Sequence, residues 1–416
     1  MKYIGIIILL VLCLTLLLFT GCRINKTEAA LESGNLENQE DINQSSNDSQ
    51  SPSTGLVEEP VIEEVTEATV TVYPQKWATG TGTASNPWAN DCIKKAYDAV
   101  PIGGTIYLSA GYYQLAGMLN VNKQINIIGE GMDKTIIVTT DAAGIKINAT
   151  DYCTLKGFTI DGDAQGNDDG PTIYIYKCNY TTVEDVEAKN AGSFGIDASE
   201  SSYSSFHNIY VHGNYEHGIH PGANIKGRNT NNVYRDIHCY NNGANGFDDF
   251  GYQGDTNNNV YDNLQCWDNG GKGIAFEYLK GCVLSNSSTS GNDDHGIYMH
   301  HNEDINLHDC FVTLSGESGI DLEFSNNISF TNVISKNNNG ESGIYINNIN
   351  GLRFTFCQFY DDRDTPVQEY GISITGDEVD FVELVNCKLM PNKIAAVYNG
   401  SGAIIEVNAE KMLTNF

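Results

Sequence analysis

The sequence predicts an all-β solenoid with a helix capping its N-terminal end. Three observations lead there. A Gly-apolar pair recurs at Gly195, Gly218, Gly246, Gly273, Gly296, Gly319, Gly343 and Gly371, at spacings of 23, 28, 27, 23, 23, 24 and 28 residues. Such a period belongs to stacked repeats. Each pair opens a short run of alternating apolar and polar residues, as in Ile297-Tyr-Met-His300 and Ile320-Asp-Leu-Glu323. That alternation suits a strand with one buried face. No amphipathic stretch of helical length separates the runs, which argues against leucine-rich and helical repeats.

Composition agrees. The chain has 416 residues, with 42 Gly and only 9 Pro. Gly is costly inside helices, so a helical bundle is disfavoured. The 53 acidic and 23 basic residues give a formal charge of -30. Binding phosphate needs a basic surface, so nucleic acid is excluded as a partner.

The first 21 residues carry Lys2, an apolar run from Ile4 to Phe19, and then Thr20-Gly21-Cys22. This resembles a bacterial lipoprotein signal, which implies lipidation at Cys22 and an exported protein anchored at the cell surface or envelope. The bilayer would then be met through that lipid alone. Residues 22–67 are rich in Asn, Gln, Ser and Glu, and are expected to form an acidic tether. Residues 68–416 hold the repeats and form one domain, expected to be monomeric.

Within that domain, Ala89 to Val100 places Ile93, Ala96, Tyr97 and Val100 on one helical face. Such a helix would cover the open end of the solenoid. Strand-like runs follow from Gly103-Gly-Thr-Ile-Tyr-Leu108 onward. Nine cysteines lie beyond Cys22, at 92, 153, 178, 239, 266, 282, 310, 357 and 387, with no CxxC pair. Cys239 and Cys266 occupy similar places in adjacent repeats. Buried free thiols stacked inside the solenoid are expected, with scattered disulfides as the alternative.

Alternation assigns the side chains to faces. In each Gly-apolar strand the residues one and three after Gly point inward, and those two and four after it point outward. The inward set contains one misfit, Asp249. The outward sets are Asp197, His220, Asp248, Ala275, Tyr298, Asp321, Tyr345 and Ser373, and Ser199, Gly222, Phe250, Glu277, His300, Glu323, Asn347 and Thr375. Loops add His217, Lys226, Arg228, Lys272, Asp293, Asp294 and His295. Rungs about 4.8 Å apart would align these into one strip of carboxylates, imidazoles and rings, suited to an extended polysaccharide.

Together the segment Gly80-Thr-Gly-Thr-Ala-Ser-Asn-Pro-Trp, the cap helix, Gly-Gly-Thr-Ile-Tyr-Leu, Gly129-Glu-Gly131 and the Asn/Gly-rich rungs resemble the right-handed parallel β-helix proteins of the pectate-lyase-like superfamily. The resemblance covers about residues 77–400 and implies a single-stranded right-handed parallel β-helix. Phe194-Gly-Ile-Asp-Ala-Ser199 is similar to the Tyr-Gly-Phe-Asp-Pro-His segment of mannuronan C5-epimerases, with Phe194, Ala198 and Ser199 replacing Tyr, Pro and His. His217-Gly-Ile-His220 is similar to the His-Gly-Ile strands of that family. Asn245-Gly-Phe-Asp-Asp249 and Cys266-Trp-Asp-Asn-Gly270 resemble rungs of calcium-dependent pectate lyases. There such Asp residues bind calcium and a Lys on a neighbouring rung is the base. Here the lysines offered, Lys226 and Lys272, lie in loops.

These resemblances imply a polysaccharide lyase or epimerase acting on a uronic-acid polymer by abstraction of the C5 proton. That chemistry needs a base and neutralisation of the substrate carboxylate, by a cation or by calcium. Catalytic candidates are His220, Lys226, Arg228, Lys272, Glu277 and His300. Substrate-binding candidates are Asp197, His217, Phe250, Tyr298, Asp321 and Glu323. Calcium ligands would come from Asp248, Asp249, Asp293 and Asp294. Two alternatives stand beside this reading: a glycoside hydrolase using paired carboxylates drawn from Asp248, Glu277, Asp321 and Glu323, and a noncatalytic glycan-binding or structural surface protein.

Overall fold

The computed structural model describes residues 80–408, apart from 82, 84, 87–91, 140–143, 163–169, 254 and 256. The signal segment, Cys22 and the tether lie outside the described residues. So do the first residues expected for the cap helix, which runs from Cys92 to Ala99 and buries Cys92, Ile93 and Ala96.

Strand alternation builds two parallel sheets, of 12 and 19 strands. The Gly-apolar runs are the rungs of the 12-stranded sheet, among them Ile196–Ser199, Ile219–Gly222, Phe247–Phe250, Ile274–Glu277, Ile297–His300 and Ile320–Glu323. Their register is direct: Ile274 pairs with Ile297, and Ile297 with Ile320. The residue after each Gly is therefore stacked in the interior, and Ile196, Ile219, Phe247, Ile274, Ile297 and Ile320 are all buried. The repeated glycine has a steric cause. A Cβ at Gly218 would lie 2.4 Å from the carbonyl oxygen of Gly246, and one at Gly273 would lie 2.6 Å from that of Gly296.

In the larger sheet, strands such as Ser205–His212, Val233–Tyr240 and Val260–Trp267 are eight residues long. Each is bent at a residue with positive φ, respectively Asn208, Asp236 and Asn263. Asn and Asp tolerate that conformation better than other residues. The amides also bridge rungs, with Asn208 Nδ2 donating to Asp185 at 2.7 Å and Asn263 Nδ2 to Asp236 at 2.6 Å.

The turns that lead into the 12-stranded sheet are held from inside by buried asparagines. Asn214 Nδ2 donates to Asn242 Oδ1 at 2.8 Å, Asn242 to Asn269 at 2.9 Å, and Asn269 to Asn292 at 2.9 Å. Each stands four residues before a strand glycine and so fixes the chain just ahead of His217, Asn245, Lys272 and His295. All nine cysteines from Cys92 on are buried, and no disulfide joins them among the described residues. Cys239 and Cys266 are register partners. The cysteines fill several interior positions rather than one continuous column.

Candidate functional site

The outward residues of the 12-stranded sheet stack as the alternation predicts. Asp197 pairs in register with His220, Asp248 with Ala275, Ala275 with Tyr298, and Tyr298 with Asp321. Beside them run Phe250, Glu277, His300 and Glu323. The strip is less exposed than a plain polar face. Long neighbours lean over shorter ones, leaving Asp197 8% and Asp321 7% exposed and Ala275 fully covered.

Two clusters form on it. In the first, His217 Nε2 lies 3.4 Å and His220 Nδ1 3.6 Å from the same oxygen, Asp248 Oδ2. Phe194 stacks on both imidazoles, at 5.3 and 4.8 Å between centroids. Burial opposes a charge on each of the three groups. It prevails at His217, whose pKa is lowered. At His220 the nearby Asp248 and Asp197 outweigh it and raise the pKa. At Asp248 the two imidazoles outweigh it and lower the pKa.

The three side chains are close enough to hold a metal ion among them. The hydrogen bonding disfavours it. The Asn245 N–H donates to His217 Nδ1 at 3.0 Å, so the proton of neutral His217 sits on Nε2 and points at Asp248. An imidazole nitrogen carrying its proton has no lone pair for a metal.

The second cluster lies two rungs on. Lys272 Nζ is 3.2 Å from Asp294 Oδ2 and 4.6 Å from the centre of the Tyr298 ring. His295 Nε2 is 3.3 Å from Asp294 Oδ1 and 3.1 Å from Asp321 Oδ2. Burial, then Glu323 and Asp294, push the Asp321 carboxyl up to about 7. Burial, then Glu323 and Glu277, raise the Tyr298 phenol, which keeps its proton. The His300 ring stacks 5.9 Å from Tyr298, and burial with the neighbouring His301 lowers its pKa. Burial and Asp248 raise the Glu277 carboxyl. The patch thus combines a cation, a proton-holding phenol and a neutral imidazole. His295 was visible in the sequence, one residue before a strand glycine like Lys272, but nothing there told that it would meet Asp321.

Other sequence candidates fall elsewhere. Asp249 points into the interior, where Tyr261 Oη at 2.5 Å and Asn229 Nδ2 donate to it. Burial raises its carboxyl to about 6. Its place inside the solenoid removes it from any surface metal site. Lys226 is on the loop after Gly222, facing Asp255 at 4.0 Å, and is 79% exposed. Among the described residues neither it nor Arg228 pairs with a carboxylate of the strip, because both stand beyond the strand end. Asp197 accepts from the Ser199 hydroxyl, and burial raises its carboxyl. Asp293 lines a separate groove with Tyr215 and Asp268. Among the described residues, then, Asp248, Asp249, Asp293 and Asp294 do not converge on one point. They do not fit a calcium centre.

Residues 256–410 match the family model described as the right handed beta helix region. No curated protein sequence matches the chain. Among solved structures, the A-module of mannuronan C-5 epimerase AlgE6 from Azotobacter vinelandii is similar, at 16% identity over 83% of this chain and 99% of that one, with a TM-score of 0.63. The AlgE4 A-module from the same organism is also 16% identical, over 83% of this chain and 100% of that one, with a TM-score of 0.54. The Agl-KA catalytic domain is 14% identical, over 82% of this chain and 68% of that one, with a TM-score of 0.50. Identities this low speak for fold. Its parallel rungs and the match over residues 256–410 give the chain a right-handed parallel β-helix fold.

Proposed function

We propose that the chain is a carbohydrate-active β-helix that acts on a uronic-acid polymer as a lyase or epimerase, by removal of the C5 proton. One observation carries this reading: Lys272, Tyr298 and His300 stand together, with Lys272 Nζ 4.6 Å from the Tyr298 ring and His300 stacked 5.9 Å beyond it. C5 proton removal places negative charge on the substrate carboxylate. Lys272 would stabilise it there, in a half-buried setting where a fixed charge acts strongly. His300, held neutral, accepts the proton. Tyr298 keeps a proton to give, to O4 of the leaving sugar in a lyase or back to C5 from the opposite face in an epimerase. Both similar A-modules belong to mannuronan C-5 epimerases, which agrees with this substrate class.

Hydrolysis is a second reading, favoured by Asp321. A carboxyl pushed up to about 7 can act as a general acid, and Glu323 stands beside it on the same strand. A screen of pectate, alginate, other uronans and neutral glycans separates the readings. A lyase raises ultraviolet absorbance through a 4,5-unsaturated end. An epimerase changes the uronate composition seen by NMR without cleavage. A hydrolase releases reducing ends with no chromophore. No change with any uronan would sink the proposal.

A further inference from the structure

A cavity of about 510 Å³ opens at the far end of the same strands, lined by Asn224, Phe250, Gly251, Tyr252, Glu277 and Tyr278 among others. Its volume lies within the roughly 300–1,000 Å³ of small-ligand sites. Its origin is a missing rung in an aromatic ladder. The first turn residues after successive strands are Ala223, Gly251, Tyr278, His301 and Phe324. They stack one above another, because the backbone N–H of each bonds the rung that follows. Tyr278 stacks on His301 at 4.9 Å, and His301 on Phe324 at 5.3 Å. His301 covers one face of Tyr278. The other face looks toward Gly251, which has no side chain, and beyond it toward Ala223. Phe250 borders the gap edge-on, 5.5 Å from Tyr278.

The gap is enforced. A Cβ at Gly251 would lie 2.3 Å from the Tyr278 carbonyl oxygen, so no ring can grow there from the chain itself. What fits is a separate flat ring, apolar on its face and polar at its edge. The Tyr278 face, Phe250 and Tyr252 supply apolar contact. The Glu277 carboxyl and the Asn224 and Gln253 amides supply hydrogen-bonding groups at the rim. No Lys or Arg lines the cavity, and Glu277 disfavours an anion.

We infer that this cavity is a subsite for an uncharged pyranose ring, seated on Tyr278 in the place of the absent rung. The inference rests on reading the neighbouring strip as a polysaccharide site. Ala275 lies on the strand Ile274–Glu277 and Tyr278 is the first residue after it, so they are at most about 10 Å apart. A short oligosaccharide spans that distance, so a single polymer can occupy strip and pocket together. The strip with Lys272 then takes a charged residue and the pocket a neutral one, which makes a heteropolysaccharide the fitting substrate.

Calorimetric titration of the full chain with neutral gluco- and manno-oligosaccharides and with oligouronates tests this. The neutral oligosaccharides should bind. Tyr278→Ala and Tyr252→Ala should each weaken them about tenfold, the scale of one aromatic contact. Tyr252 is 38% exposed, so its loss leaves the core intact. Tyr278→Phe should restore the affinity. The subsite is overturned if no neutral oligosaccharide binds, or if both alanine variants bind as the unsubstituted protein does. Uronan turnover without neutral binding sinks the subsite alone. Neutral binding lost in Tyr278→Ala, with no turnover of any uronan, sinks the C5 reaction and leaves the subsite standing.

Discussion

His295 and Asp321 face each other across neighbouring rungs. His295 Nδ1 faces the Ser318 carbonyl oxygen at 3.2 Å, so it carries a proton and donates. That leaves Nε2 bare in neutral His295, 3.1 Å from Asp321 Oδ2. Asp294 Oδ1 lies 3.3 Å from the same nitrogen and its carboxyl pKa is lowered, so a second ionised carboxylate at Asp321 would crowd a bare Nε2 further. Burial lowers the imidazole, while burial and Glu323 raise the carboxyl to about 7. Asp321 therefore gains and loses its proton around neutral pH.

The pH dependence of stability follows. An ordinary Asp carboxyl titrates near 3.8, and Asp321 near 7 in the fold. The folded state holds the proton more tightly, so this group's contribution is complete below about pH 4 and is lost as pH rises through 7. Asp321→Asn removes the titration and still offers an N–H to His295. Relative to the unsubstituted protein, the variant should melt about 2 °C higher at pH 8 than at pH 4.5. An equal difference at both values would falsify the raised Asp321 carboxyl.

Lys272→Met should lower turnover of the active uronan at least about 100-fold, since it deletes the only cation of the Tyr298 patch among the described residues. Circular dichroism and the melting temperature should change little, because Lys272 is a surface turn residue held by Asn245 through its backbone. Activity retained in this variant would remove Lys272 from the reaction.

His300→Gln tests the base. A neutral imidazole is needed, and the lowered pKa of His300 means activity should rise with pH along a limb below 6.5. The variant should lose about 100-fold in kcat and lose that limb, with KM little changed. A profile that keeps the limb places the base elsewhere, whereas a general acid at Asp321 would give activity that falls as pH rises through about 7.

The fold was legible because a solenoid repeats its constraints. Gly218 and Gly273 are glycine for the same reason, a carbonyl in the next rung, and the eye finds the period. Outward columns could be assigned from alternation alone, and Asp249 already stood out as an inward polar residue. What pairs with what could not be assigned. Whether Asp248 meets His217, or His295 meets Asp321, depends on how side chains lean between rungs of unequal size. Loops of different length add to this. The longer repeats after Gly218 and Gly246 carry Lys226 and Tyr252 beyond the strand end, where a period says nothing of direction.

The asparagine ladder ties stability to the site. Asn269 accepts from the Asn242 N–H at 3.1 Å, donates to Asn292 at 2.9 Å and donates to the Cys239 carbonyl at 3.1 Å. Asn269→Ala leaves these buried partners without hydrogen bonds, at about 1–3 kcal/mol for each one orphaned. The melting temperature should fall by several degrees. Turnover at 25 °C, where the fold persists, should also fall, because Asn269 fixes the turn that presents Lys272. Thermal denaturation and assay of one preparation check both. Lost stability with full turnover would separate the ladder from the site.

Chelation addresses the charge problem of the chain. A protein with a formal charge of -30 meets a uronan against repulsion unless cations intervene. Calcium could intervene at a protein centre or as loosely held counter-ions, and the two respond differently. Asp249 is interior and Asp294 is engaged by Lys272 and His295, which leaves no converging set among the four acidic candidates. Removal of divalent ions by EDTA should therefore leave turnover within about twofold once ionic strength is restored with sodium chloride, because screening at 0.15 M suffices to relieve long-range repulsion. Raising salt from low concentration should speed turnover for the same reason. If EDTA abolishes activity at constant ionic strength and calcium alone restores it, a specific calcium site exists and the Lys272 assignment has to share the substrate carboxylate with it.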